Sequence, residues 1–353
     1  MRILLIGNFS LPYEEENLHN LTLLNHLNQE GYECHVINIA ESQSEYNESL
    51  LEKKKIIKCK SYVDFIIKFI RCGYRSNVIH FLTKGYTRPG LMKLVTAVFI
   101  GKLLLKKIII TLHSEMFSIF GQLRSKMGGQ QLLHLSFSMA DKIICGDIHT
   151  YEVAATHYEI KDKFIVIPSF FQIPEDTDKV KTALRKLENK KKLIVFSGVK
   201  YPSFIFDVLN ELLTKYISSD IGIAISFSEK KSQQLQHAIE EAGSMFVNNM
   251  VFIEHDDKQL LTTAYARANL VIRTLSCDGK PLFNDIAISV KEPMRSGNYL
   301  HFPISLILIK EGKVTNLCAY IFNKLLIERI EALPEPSRED FYAKIKEIYS
   351  EYF

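Results

Sequence analysis

The sequence predicts an α/β protein made of two successive units, and three observations carry that expectation. Short apolar runs ending in polar loops alternate with helical segments along the chain. Near the middle, Pro168 and Pro174, followed by the charged stretch Glu175 to Lys192, interrupt the alternation and mark a boundary. The length of 353 residues suits two α/β domains, and a hydrophobic fraction of 47% is enough for two cores.

The first strand is Met1 to Gly7, MRILLIG, running into Gly7-Asn8-Phe9. A helix over Asn20 to Asn28 and a strand over Glu33 to Ile39 complete a βαβ opening. The loop lacks G-x-G-x-x-G, so the nicotinamide or flavin fingerprint is absent and a dehydrogenase is disfavoured. Asn77 to Leu82 and Lys107 to His113 read as two further buried strands, placing His80 and His113 at or near their carboxyl ends. His80 reads as a histidine satisfied within the core.

Beyond the boundary, a strand at Leu193 runs through Gly198 and Val199 to Lys200. Met250 to His255 reads as another strand, and Asp257 to Asn269 as a crossover helix with Leu260, Leu261, Ala264, Tyr265 and Ala268 at helical spacing. Ala268 to Ile272 is an apolar strand with Arg273 at its carboxyl end, the edge where open α/β sheets gather ligands. Asp278-Gly279 then makes a turn, and Ser289 reads as the N-cap of a helix ending at Gly297. Pro293 fits a first turn better than the interior that this start gives it. Pro334-Glu335-Pro336 precedes a final amphipathic helix, Ser337 to Phe353.

Several of these segments, in this order, resemble the retaining, family 4-like glycosyltransferases of the two-Rossmann-domain (GT-B) type. Arg273-Thr274, Asp278-Gly279, Ser289 to Glu292 and Gly297 follow the family's C-terminal signature, Thr111-Leu112-His113-Ser114 resembles its T-L-H-G, and Ala140 to Cys145 and Phe164 to Ser169 resemble the close of its first domain and the linker. The resemblance implies two Rossmann-like domains facing a central cleft: an acceptor-side domain over residues 1–167, a nucleotide-sugar domain over 168–333, and a helix over 334–353 packing back on the first. It implies that His113 lines the cleft as an orienting donor, that Glu292 binds the donor's ribose, and that an earlier acid binds the donor sugar. Thirteen residues separate Asp278 from Glu292, more than the family has, so either Asp278 keeps that role across an insertion or Asn284 or Asp285 has taken it. Gly198, Lys200, Arg273, Glu254, Ser289 and Val290 fall at donor-binding positions, and Gly7, Asn8 and Phe9 on the acceptor side. The family's arginine slot after the second domain's first strand holds Val199, and its later lysine is missing; Arg273 either supplies the guanidinium or makes a surface ion pair.

The implied reaction moves a sugar from a nucleoside diphosphate sugar to a hydroxyl of a glycan or lipid-linked acceptor in bacterial surface polysaccharide synthesis. No cofactor is expected, and no Asp-x-Asp sequence suggests a metal. The departures from pattern keep a second reading, a catalytically degenerate scaffold or accessory subunit, and a third, a sugar-nucleotide epimerase.

Six cysteines show neither C-x-x-C nor zinc-ligand spacing and read as free thiols of a reducing cytoplasm. The N-terminus lacks the basic region of a secretory signal, so a cytoplasmic protein is expected. Between Lys53 and Lys107 stand fourteen Lys or Arg against the single acid Asp64, interleaved with Phe, Ile, Leu and Val. That pattern suits either an anionic membrane surface at the inner face of the plasma membrane or a solvated basic face over core helices. No nucleic-acid-binding motif is present.

Overall fold

A computed structural model describes residues 1–9, 15–40, 56–83, 88–113, 129–158, 160–173, 178–199, 207–209, 211, 220–227, 249–254, 257–277, 280–281, 286–296, 299–302, 305–310 and 338–351. The chain forms two compact units, one of Met1–Leu11, Glu15–Phe171 and Pro336–Phe353, the other of Pro12–Glu14 and Gln172–Glu335.

The first unit is built on seven strands: β1 (Arg2–Gly7), β2 (Glu33–Asn38), β3 (Ile56–Lys58), β4 (Val78–Thr83), β5 (Lys107–Leu112), β6 (Lys142–Cys145) and β7 (Phe164–Val166). All pair in parallel, in the order β3-β2-β1-β4-β5-β6-β7. Parallel strands covered on both faces need near-continuous apolar runs, and Ile3 to Ile6, Ile79, Phe81 and Ile108 to Ile110 supply them, each almost fully buried. The helices are α1 (Glu15–Gln29), α2 (Tyr62–Arg75), α3 (Arg88–Leu103), α4 (Gly129–Met139) and α5 (Ile148–Tyr158). Ser61 caps α2 by accepting from the Asp64 N–H, and Asp147 begins α5 by accepting from both the N–H and the hydroxyl of Thr150.

The last helix, Arg338–Ser350, belongs to this unit and buries Ile345, Ile348 and Tyr349. Its anchor is His80 on β4, whose Nδ1 lies 2.6 Å from the Tyr349 hydroxyl and whose Nε2 lies 2.7 Å from Thr111 Oγ1 on β5. Burial pushes the His80 pKa down to about 3, so the ring is neutral at pH 7.

Helix α3 ends in a Schellman motif: the Leu105 N–H donates to Lys102 O and the Lys106 N–H to Gly101 O. The motif puts Leu105 at φ 57°, a position where glycine is the usual residue because a Cβ crowds the following carbonyl. With its side chain 93% exposed, Leu105 recovers nothing from packing. Leu105→Gly is therefore expected to raise the unfolding free energy by about 1 kcal/mol, read as a higher urea midpoint at unchanged slope.

After the three-residue β8 (Phe170–Gln172) comes the second unit, with α6 (Asp178–Leu184), β9 (Lys192–Val199), β10 (Ile221–Phe227), β11 (Met250–Ile253), α7 (Lys258–Arg267) and β12 (Leu270–Cys277). These four longer strands pair in parallel in the order β11-β10-β9-β12. Asp257 caps α7 by accepting from the Leu260 N–H, and Leu261, Ala264 and Tyr265 bury the helix, with the Tyr265 hydroxyl bonded to Ser197 on β9.

Past β12 the pairing turns antiparallel. β13 (Lys280–Pro281) and β14 (Ile286–Lys291) pair antiparallel to β12; β15 (Met294–Ser296) and β16 (Tyr299–His301) form a hairpin; β17 (Ser305–Lys310) pairs antiparallel to β14. The helix expected to open at Ser289 is thus a strand. Ile286, Ile288 and Val290 alternate with smaller or polar residues, β-branched side chains favour the pleat, and neighbours on both sides satisfy its backbone. Pro293, which cannot donate to a helical ladder, stands just beyond its end.

Candidate functional site

The strand order of the first unit reverses between β1 and β4, and open α/β sheets form a crevice at the carboxyl ends of the strands at such a switch point. Gly7 ends β1 there, followed by Asn8 and Phe9. A Cβ on Gly7 would stand 3.0 Å from Leu82 Cβ on β4 and 3.2 Å from Asn20 Nδ2, so glycine lets α1 close onto the strand ends. Phe9 is buried, and its N–H donates to Asn38 Oδ1 at the end of β2.

His113 follows β5 at the same edge, tied by its N–H to Thr83 O. Its Nε2 lies 3.1 Å from Asn20 Oδ1 and its Nδ1 lies 3.2 Å from Ser169 Oγ. Asn20 Nδ2 donates to the Asn8 carbonyl at 2.9 Å, which leaves Oδ1 facing the imidazole. An amide oxygen only accepts, so His113 Nε2 carries a proton and donates it to Asn20, while Nδ1 meets the Ser169 hydroxyl. The result is one hydrogen-bonded chain from Ser169 through His113 and Asn20 to the loop after β1. Gly146 supports it: a Cβ there would come within 2.9 Å of Ser169 Oγ and 3.2 Å of Leu112 O.

His19, one helical position before Asn20, meets the His113 ring edge-on at 4.6 Å between centroids. The Phe170 N–H donates to His19 Nδ1 at 3.1 Å, while the Phe170 carbonyl, 3.2 Å from the same nitrogen, favours a protonated ring. The two backbone groups oppose each other and complete burial decides, bringing the pKa down to about 4. His19 is a neutral, fixed wall beside His113. Sequence reading reached His113 but missed His19, Asn20 and Ser169, which no short motif joins. The available signal was the run of polar residues on α1, where Glu16, Asn17, His19, Asn20 and Thr22 are all buried.

In the second unit the switch point lies between β9 and β12. Gly198 is the penultimate residue of β9. Arg273, half-buried, pairs with Ser197 at the last parallel rung and lies inside β12 instead of ending it. Glu254, exposed, follows β11 at the same edge, and Ser289 lies across from Arg273 on β14. Val290 is buried against Ile272 one rung further in.

Glu292 is placed otherwise than expected. Because β14 runs antiparallel, Lys291 pairs with Val271, and Glu292, exposed, emerges at the amino-terminal edge of the parallel strands. The carboxylate expected on a helix at the ligand edge stands at the opposite end of the sheet. Lys200, Asp278, Asn284 and Asp285 lie outside the described residues. Among the described residues no three of His, Cys, Asp or Glu converge as metal ligands.

Together these features define the class: two Rossmann-like α/β units, the GT-B architecture. Solved structures share the fold. The UDP co-structure of MnaA from S. aureus is 13% identical, with 79% of this chain and 74% of that one covered at a TM-score of 0.50. A putative UDP-N-acetylglucosamine 2-epimerase from Listeria monocytogenes is 14% identical, covered 79% and 75% at a TM-score of 0.50. Anabaena HepE in complex with UDP-glucose is 14% identical, covered 77% and 73% at a TM-score of 0.49. No protein-family model matches the sequence, and no curated protein matches it.

Proposed function

We propose that this chain moves a sugar from a nucleoside diphosphate sugar to a hydroxyl of a glycan or lipid-linked acceptor in bacterial surface polysaccharide synthesis, with retention and without a resident metal. The His113 cluster at the switch point of the first unit carries this reading, because it stands in the segment that resembles the family's T-L-H-G and holds the imidazole with its Nε2–H oriented. A GT-B likeness to MnaA with bound UDP and to a UDP-N-acetylglucosamine 2-epimerase supports a nucleotide-sugar partner.

In the reaction, the bond from the anomeric carbon to the diphosphate breaks, the acceptor oxygen bonds to that carbon, and the acceptor's proton leaves with the diphosphate. The ring passes through an oxocarbenium-like state, and His113 contributes an oriented N–H to the transferred sugar, which exchanges with one of the ring's present partners. Arg273 and Lys200, with backbone N–H groups, offset the roughly two charges of the leaving diphosphate. Gly7, Asn8 and Phe9 face the acceptor, which is reached at the inner face of the plasma membrane.

The assay is release of nucleoside diphosphate from UDP-, GDP- and ADP-sugars with and without a lipid-linked or glycan acceptor. Acceptor-dependent release is expected; an epimerised sugar nucleotide without acceptor, or no turnover at all, would contradict it. One observation favours the degenerate-scaffold reading as the second choice: the segment matched to the family's donor-binding helix is a β-strand.

Donor binding is expected to depend unequally on two residues. Arg273→Ala should raise the Kd about tenfold, the loss of one charge-assisted contact, while Glu292→Ala, at the far edge, should stay within about twofold in calorimetric titration.

A further inference from the structure

Helices α2 and α3 lie side by side, joined by Tyr62, whose hydroxyl reaches the Met92 carbonyl at 3.5 Å and Thr96 Oγ1, and by Lys106, whose Nζ donates to the Tyr74 carbonyl at 3.0 Å. Helix α2 spends one apolar stripe, Phe65, Phe69 and Gly73, on the core. It carries a second at i, i+4, i+7 and i+11, Val63, Ile67, Ile70 and Tyr74, which faces solvent. Helix α3 repeats that spacing with Met92, Thr96, Phe99 and Leu103, all but Thr96 exposed. Leu105, 93% exposed on left-handed backbone, extends this face past the end of α3.

The surrounding charge is basic. Exposed Lys60, Arg71 and Arg75 border the α2 stripe. Lys106 stands beside Leu105, and Lys102 and Lys107 flank the same end of α3 while sharing the Asp141 carboxylate at 2.5 and 3.6 Å. Asp64, the one acid of this helix pair, is neutralised by Lys68 at 2.8 Å. Two parallel apolar stripes edged by cations match an anionic bilayer surface, whose headgroups take the cations while the stripes enter the acyl boundary. No helix among the described residues is long and apolar enough to cross a membrane.

We infer that the paired faces of α2 and α3 dock on anionic phospholipid, with Leu103 and Leu105 as an inserted wedge. The inference deepens the membrane-borne acceptor proposed above, yet it rests on these two helices alone and can fail or hold independently of sugar transfer.

The chain contains no tryptophan, so Leu105→Trp gives a single reporter on the full-length protein. Its emission should shift to the blue with phosphatidylcholine vesicles containing phosphatidylglycerol, and not with phosphatidylcholine alone. In flotation, Leu103→Ser with Leu105→Ser should lower partitioning at least about tenfold at an unchanged melting temperature, and 0.5 M salt should weaken the wild type. Leu105→Gly gives a diagnostic opposition, higher thermal stability with weaker vesicle binding, which a merely structural leucine would not produce. Absence of any blue shift, or wild-type flotation by the double serine variant, would overturn the inference. So would concentration-dependent dimerisation lost in that variant, since the face would then belong to a second copy.

Discussion

Acidification from pH 7 to 4.5 is expected to remove on the order of 5 kcal/mol of stability, shared between the buried histidines His19 and His80. Their pKa values are lowered by burial from 6.5 to about 4 and about 3. Well above pH 6.5 both rings are neutral folded or unfolded, and the full stability is present. As the pH falls below 6.5 the unfolded chain binds protons that the folded one refuses, and stability declines until the folded values are reached. Burial opposes ionisation of Asp141, but Lys102 and the Ile108 N–H outweigh it and depress the carboxyl, whose contribution is present across this window and is lost only as the pH falls below the usual carboxylate range. A loss of this size approaches the whole stability of an ordinary domain. Urea unfolding as a function of pH should show close to two protons taken up by this pair near pH 5.5; a flat profile between pH 6.5 and 4.5 would contradict the neutral, buried placement of both rings.

His113→Ala is expected to lower turnover by about 10²- to 10³-fold, the usual cost of removing one oriented donor from a developing charge, while the donor Kd moves less than about threefold. Asn20→Ala should act in the same direction but less, because the ring keeps its Ser169 contact. Gln at 113, which retains an N–H but not the imidazole's two-sided anchoring, should restore part of the rate. Equal losses in melting temperature and turnover for all three would instead mark the cluster as a purely structural tie between α1 and the strand ends.

The first unit was largely legible because a parallel sheet covered on both faces writes itself as unbroken Val, Ile and Leu runs; β1, β2, β4 and β5 fall within a residue or two of the segments read from sequence. Helix α1 begins five residues before the expected Asn20, at Glu15. Its first half buries Asn17, His19 and Asn20, and a polar face turned inward erases the periodicity on which a helix is recognised. The misreading of 286–291 has the opposite cause. Ser289 with Glu292 three residues on imitates a capping box, while the strand's evidence is pairing with β12 and β17, which lie elsewhere in the sequence.

The candidate site was legible only where one residue sits in a recognisable segment. His113 ends an apolar strand and is found from sequence; Ser169 stands fifty-six positions away and Asn20 ninety-three, so only the folded sheet unites them. On the second unit, Arg273 and Gly198 reach one edge because β9 and β12 are parallel neighbours, and Glu292 leaves it because β14 reverses direction.

The most direct test is the melting temperature of the full chain with saturating UDP-, GDP-, ADP- and CMP-sugars. Ligand at a hundred times its Kd adds about 2.7 kcal/mol to the folded state, a rise of several degrees for units of this size. A rise with the sugars of one nucleoside diphosphate, roughly halved in Arg273→Ala at the same ligand concentration and kept in Glu292→Ala, is the predicted result; no rise with any of them would contradict the assignment of this chain as a nucleotide-sugar enzyme.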